Sequence, residues 1–216
     1  MSWIEHVRSA NWHQGSFIFA CAYLLGCFTS GYYLVRWLAG QDLRELGSGS
    51  VGARNVGRIL GKTGFALTVL ADVTKGMIAV WAVRHYTTDP QLILLGMVAV
   101  VAGHIWPVQL RFRGGKGMAT ALGSLLMYDA PFLIVFMILF LVLAAFVRRT
   151  TLPALVALAC VPLTALWFDR PPADVTLLCT WAGLVVVAHR KNIMVELAQL
   201  SAVRREPATE SDPPSV

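Results

Sequence analysis

The stretch "GSGSVGARNVGRILGKT", residues 47–63, carries Gly47, Gly49, Gly52, Gly57 and Gly61 together with Ser48, Ser50 and Asn55. Glycines at this density let successive backbone N–H groups converge on an anion, and the hydroxyls and the amide add donors. A second stretch, "RFRGGKGMAT", sets Lys116 among Gly114, Gly115 and Gly117 just before an apolar run. A lysine in a glycine turn at a helix N-terminus joins a full charge to free N–H groups and the positive end of the helix dipole, a combination that holds phosphate. Two literal signatures in the first stretch fail. Residues 47–52 fit the dinucleotide fingerprint G-x-G-x-x-G, but that fingerprint needs a preceding strand and a βαβ unit. Residues 57–63 are one residue short of the P-loop G-x-x-x-x-G-K-[ST]. The phosphate chemistry beneath both matches survives them.

Other polar residues stand where they are costly. Asp72 and Lys75, three apart, share a helical face inside an apolar run, where such groups pair and face protein interior or a cavity. They form either a structural ion pair or a pair that orients site groups. His104 opens "HIWPV" at the end of one run, and His189 ends another in "AHRKN". No two of these residues have ligand spacing on one helix, so no metal is expected.

The elements that must position these residues are membrane spans. The chain of 216 residues is 56% hydrophobic and 14% charged, with mean hydropathy +0.63, too apolar for a soluble domain of this size. Apolar runs recur over 16–38, 65–83, 92–110, 131–147, 152–167 and 175–188, most of them near the roughly 17–25 residues that cross a bilayer. Asp129-Ala130-Pro131 divides the long stretch 118–147 into a short Met118–Tyr128 helix and a span, giving about seven transmembrane helices in an all-α, polytopic protein. Fourteen of the eighteen basic residues then fall on one side: Arg36, Arg44, Arg54, Arg58, Lys62, Arg111, Arg113, Lys116, Arg148, Arg149, Arg190, Lys191, Arg204 and Arg205. The positive-inside rule makes that side cytoplasmic, with the N-terminus outside and the C-terminus inside. Merging 118–147 into one span would put Arg148, Arg149 and the basic tail outside. An eleven-residue element can cross only if neighbours bury its ends.

Residues 1–15 are read as an extracytoplasmic N-terminus before an uncleaved first span, 16–200 as one membrane-embedded domain, and 201–216, rich in Pro, Ser and charge, as a disordered cytoplasmic tail. Cys21, Cys27, Cys160 and Cys179 lie within spans without C-x-x-C spacing and read as buried apolar residues. The net charge of +6 reflects topology and is no sign of nucleic acid. With both glycine loops on the basic face, the plainer alternative of two tight turns with membrane-anchoring cations gives way to a phosphate site there.

"GSGSVGARNVGRILGK", "GHIWPVQLRFRGGKGMATALG" and "HRKN" resemble the three cytoplasmic motifs of the bacterial acyl-phosphate-dependent glycerol-3-phosphate acyltransferases, in order and spacing, over residues 16–197. The resemblance implies seven spans with the N-terminus outside, a place in the bacterial cytoplasmic membrane, and an active site on the cytoplasmic face. It implies transfer of a fatty acyl group from acyl phosphate to glycerol-3-phosphate, giving lysophosphatidic acid and inorganic phosphate, with no cofactor. Residue by residue, Ser48, Asn55 and Arg58 match phosphate-holding positions of the first motif, Lys116 the lysine of the second, and His189 and Asn192 the polar pair of the third. The chain departs from the pattern at Ser50 (usually Asn), Arg54 (usually Thr) and Lys191 (usually Glu). Thr151-x-x-Ala154 stands where a Ser-x-x-Ser pair is usual, so Thr151 keeps a hydroxyl and Ala154 does not.

The residues fit that chemistry on their own terms. Two phosphate substrates demand charge neutralisation and positioning above all. An acyl phosphate is already activated and its leaving phosphate can take the attacking hydroxyl's proton, so no protein nucleophile is required. The His-x-x-x-x-Asp motif of other glycerophosphate acyltransferases is absent, since Pro90, Gln109 and Met194 follow His85, His104 and His189 by five. Two other classes stay open: a transporter or flippase for a phosphorylated solute, and a non-catalytic membrane scaffold derived from the enzyme. The outer loops offer Arg84, His85, Asp89, Asp169, Arg170 and Asp174 without glycine nests, and no internal repeat is visible, which weakens the transporter.

Overall fold

A computed structural model describes residues 12–147 and 149–203; the expected N-terminal segment, Arg148 and the tail beyond 203 lie outside the described residues. The described chain is helical throughout, without strands. Helices α1 (Trp12–Cys27) and α2 (Ser30–Ala39) form one apolar stretch of 28 residues, broken at Phe28–Thr29. After a 3₁₀ turn at Leu43–Glu45 and the first glycine loop comes α3 (Ala53–Tyr86), 34 residues long. At 1.5 Å per residue it measures about 51 Å, well beyond the hydrocarbon thickness. Gly61, with φ 69° and ψ −164°, breaks its helical geometry and separates a short first segment from the span.

Helix α4 (Pro90–Ile105) starts with Asp89, whose carboxylate accepts from Gln91 N–H, and a proline in its first turn. It is the most buried of the long helices and packs against α1, α3 and α8. Then follow α5 (Met118–Tyr128), α6 (Ala130–Val147), α7 (Thr151–Trp167), α8 (Pro172–Ala188) and α9 (Arg190–Val203), the last two meeting at a 62° bend.

The short α5 is sheltered as its length demands. Gly76 of α3 and Gly123 of α5 let the two backbones touch: a Cβ on either would lie 2.2 Å or 2.0 Å from a carbonyl oxygen of the other helix, Thr120 or Val73. At its far end Arg84 donates to the carbonyls of Met127 and Tyr128, at 2.7 and 3.0 Å, and Trp181 Nε1–H reaches Ser124 Oγ at 3.2 Å. Helix α6 is the opposite case, an almost wholly apolar element with Ile134, Ile138, Leu141 and Phe146 exposed.

Seven apolar helical segments follow one another in the expected order. Four of them (Trp12–Ala39, Ala53–Tyr86, Pro90–Leu110 and Ala130–Val147) are long and apolar enough to cross a bilayer, and the bent pair α8–α9 makes a fifth. Met118–Tyr128 and Thr151–Trp167 are shorter apolar helices.

Candidate active site

The first glycine loop is a closed structure held by one side chain. Asn55, in the first turn of α3 and 1% exposed, donates through Nδ2 to the carbonyls of Leu46 (2.8 Å), Ser50 (3.0 Å) and Leu43 (3.3 Å), and its Oδ1 accepts from Ser48 N–H (3.0 Å). Gly47 and Gly49 adopt positive φ, and a side chain on Gly47 would lie 2.3 Å from Asn55 Oδ1. The amides of Ser48, Gly49 and Gly52 are spent on Asn55, Leu46 O and Ser50 Oγ. Three of the N–H groups expected to form a nest over residues 47–55 are therefore spent within the loop. Asn55 holds the loop's shape, and the loop offers the hydroxyls of Ser48 and Ser50.

The second glycine turn is likewise pinned. Gly114 N–H and Gly115 N–H donate to the carbonyls of Ile105 and His104 at 3.1 and 3.0 Å, so these two amides are also committed. A Cβ on Gly114 would lie 2.2 Å from His104 O, and one on Gly115 would lie 2.1 Å from His104 Nε2. Gly117, φ 83°, caps α5 and ends the turn. The loops meet where Val51 N–H donates to Gly114 O (3.5 Å) and Arg44, paired with Asp42, donates to Leu110 O (3.1 Å).

Beneath the turn lies a buried polar network. Lys75 Nζ has three neighbours that can accept: Asp72 Oδ1 at 2.9 Å, Phe28 O at 2.8 Å and His104 Nδ1 at 2.7 Å. An ammonium has three hydrogens for them, which assigns the lone pair to His104 Nδ1 and the proton to Nε2. Ser30 Oγ donates to Asp72 Oδ1 at 3.1 Å. The ion pair expected from the spacing thus exists, and it carries the imidazole against which Gly115 packs. His189 has the opposite tautomer: Nδ1 lies 2.8 Å from Val185 O, a carbonyl that can only accept, so Nε2 keeps its lone pair.

Lys116 Nζ donates to Asn192 Oδ1 at 2.5 Å. Burial pushes the Lys116 ammonium below the usual lysine range, and the charges of Arg54 and Arg58 push it the same way. Ser48, Ser50, Arg54, Asn55, Lys116, Thr150, Thr151, His189 and Asn192 line one cavity of about 550 Å³. Phe65, Val69, Val73, Leu122, Phe136, Met137 and Phe140, from the middles of α3, α5 and α6, form the rest of its wall, with Asp72 and His104 also lining it. Arg58 stands outside the lining, exposed beside the first loop.

Arg54 was legible only as a departure from a motif. Its Nη1 donates to Thr151 Oγ1 and its Nη2 to Thr150 Oγ1, each at 2.7 Å, and Ala154 lines the same cavity. Two departures separated by nearly a hundred residues therefore share one wall. Among the described residues no group of three or more His, Cys, Asp or Glu side chains could hold a metal.

Fold and cavity define a multi-pass helical membrane protein with a cleft that is polar at the loop end and apolar along the spans. The chain belongs to the glycerol-3-phosphate acyltransferase family, whose model matches residues 16–199, and it is an acyltransferase. It is 42% identical over 189 residues to glycerol-3-phosphate acyltransferase 1 of Desulfitobacterium hafniense (strain Y51), covering 88% of this chain and 94% of that protein. It is 37% identical over 177 residues to the glycerol-3-phosphate acyltransferase of Clostridioides difficile (strain 630), covering 80% and 86%. Among solved structures it is similar to PlsY (YgiH), an integral membrane glycerol 3-phosphate acyltransferase crystallised in a glycerol 3-phosphate form. That similarity has a TM-score of 0.76 and 33% identity, over 86% of this chain and 92% of that one. A lysophosphatidic acid form of the same protein gives 0.74 and 30%.

Proposed function

We propose that this enzyme transfers a fatty acyl group from acyl phosphate to sn-glycerol-3-phosphate, releasing lysophosphatidic acid and inorganic phosphate, at the cytoplasmic face of the bacterial inner membrane. The observation that carries the reading is the two-natured cavity. Its polar end gathers Arg54 and Lys116 with the hydroxyls of Ser48, Ser50, Thr150 and Thr151, while its apolar wall runs between α3, α5 and α6 toward the lipid-facing surface of α6. An acyl chain lies along the second and a phosphate against the first. The seven-span reading, with the N-terminus outside, sets that polar end among the basic loops on the cytoplasmic side.

The reaction needs no protein nucleophile. The acceptor's hydroxyl oxygen bonds to the acyl carbon, the bond from that carbon to the phosphate oxygen breaks, and the departing phosphate takes the hydroxyl proton. Lys116, within reach of Asn192, and nearby Arg58 offset the negative charge that gathers there. His189, with a free Nε2 lone pair, accepts a hydrogen bond from the acceptor's other hydroxyl and so orients the one that attacks. The transporter reading fares worse, because the wall leading away from the polar end is apolar.

The donor is tested by supplying purified enzyme with labelled glycerol-3-phosphate and either acyl phosphate or an acyl thioester of the same chain. Label should enter lysophosphatidic acid only with acyl phosphate. Transfer from the thioester at an equal rate would sink the proposed donor.

A further inference from the structure

We propose that Arg54 is a phosphate ligand at the mouth of this cavity and selects for phosphorylated substrate, a role that rests on the acyl-transfer reading above. Arg54 sits in the first turn of α3, where Gly52 is the N-cap, and reaches across to the connection between α6 and α7. There two neutral hydroxyls, Thr150 Oγ1 and Thr151 Oγ1, each take one of its N–H groups at 2.7 Å. A guanidinium has five N–H donors, so three are left.

What sets it apart is that it lines the cavity without a carboxylate partner. Arg44, Lys75 and Arg170 are each paired with a carboxylate, Asp42, Asp72 and Asp129 respectively. Arg54 makes no such ion pair among the described residues, and neither does Lys116, whose partner is the neutral amide of Asn192. The two cations line one cavity and repel each other. An incoming anion would offset that repulsion.

The hold on Arg54 also fixes its fork in advance, which removes part of the entropy cost of ordering a long side chain on a ligand. On the α7 side, Ala154 adds only a methyl to the lining one turn beyond Thr151, so donors to an anion at this wall come from Arg54 and the two threonine hydroxyls it holds.

Steady-state kinetics of Arg54→Gln in lipid discs test this. The KM for one of the two phosphate substrates should rise at least about tenfold, the other staying within about twofold and kcat within about threefold. The substrate that responds identifies which phosphate Arg54 holds. Arg54→Lys, which keeps charge without the fork, should fall between. Unchanged KM values, an equal rise in both, or a loss in kcat alone would make Arg54 a strap that shapes the mouth and overturn the assignment. Thermal stabilisation by inorganic phosphate is measured alongside, because it needs no turnover. It should weaken in Arg54→Gln, and equal stabilisation of both proteins would also overturn the role. An inactive wild type would defeat the acyl-transfer reading while this binding measurement still decided the fate of Arg54.

Discussion

Lys116 Nζ and Asn192 Oδ1 lie 2.5 Å apart although 76 residues separate them, so the glycine turn before α5 and the bend between α8 and α9 converge on one point of the cavity. The partner is an amide, which orients the ammonium without cancelling its charge. Removing a charge-assisted bond of this kind costs roughly 1.5–3 kcal/mol, and more where charge accumulates in the transition state. Lys116→Ala should therefore lower kcat about tenfold to a hundredfold, with only partial rescue in Lys116→Arg, whose planar fork fits the turn poorly. Asn192→Asp should be worse than Asn192→Ala, because a carboxylate there would repel phosphate. Arg111→Ala, in an exposed part of the same loop, is the control, and a Lys116→Ala enzyme no worse than that control would end the assignment.

Activity should fall on the alkaline side at a lower pH than an ordinary lysine would dictate. Burial and the charges of Arg54 and Arg58 depress the Lys116 pKa, so the ammonium is lost earlier as pH rises. Arg58→Gln removes one of those repulsions and should move the alkaline limb of kcat/KM upward. A limb that stays in place would show that Lys116 is not the group titrating.

Asn55→Asp should be more damaging than Asn55→Ala. Alanine leaves Ser48 N–H and Ser50 O without their partner, a loss of about 1–3 kcal/mol in loop stability for each group left buried and unsatisfied, while Leu43 O and Leu46 O keep the backbone N–H groups of Leu46 and Gly49. Aspartate keeps the acceptor but turns a buried carboxylate toward the carbonyls of Leu43, Leu46 and Ser50. Thermal unfolding in detergent and activity read the order directly. A benign Asn55→Asp would mean that the amide does not hold the loop.

Lys75→Met should destabilise the fold by about 3–5 kcal/mol, since it leaves Asp72 a buried charge held only by Ser30 and the more distant His104. Asp72→Asn combined with Lys75→Met should recover much of the loss in stability but not in activity, because His104 would lose the donor that fixes its tautomer. Equal unfolding temperatures for the single and double variants would refute the coupling.

Sidedness is open to labelling in a background without native cysteines. Gln41→Cys, beside the first glycine loop, should be shielded from an impermeant thiol reagent in whole cells, and Thr88→Cys, between α3 and α4, should react. The reverse pattern would place the glycine loops outside.

Much of the architecture follows from local physics and was readable. Hydropathy marks each apolar helix, and Asp129-Ala130-Pro131 correctly ends the helix Met118–Tyr128. The placement of Lys116 before a helix and the Asp72–Lys75 pair also follow from spacing. What escaped reading depends on which distant groups the packing brings together. Asn55 reads as a phosphate donor until the loop's own carbonyls are seen to consume its hydrogens. The amides of Gly49, Gly114 and Gly115 read as free for the same reason. Arg54 finds Thr150 and Thr151 only because α7 begins beside the start of α3, a neighbour relation that no short-range pattern encodes.

The central claim is that one cavity joins acyl transfer to phosphate release, and product stoichiometry tests it most directly. Purified enzyme in lipid discs is given acyl phosphate with and without glycerol-3-phosphate, and inorganic phosphate and lysophosphatidic acid are measured together. One phosphate should appear per lysophosphatidic acid, with none above background when the acceptor is omitted and little of either in Lys116→Ala. Phosphate release that ignores the acceptor, or lysophosphatidic acid formed without phosphate, would contradict the account.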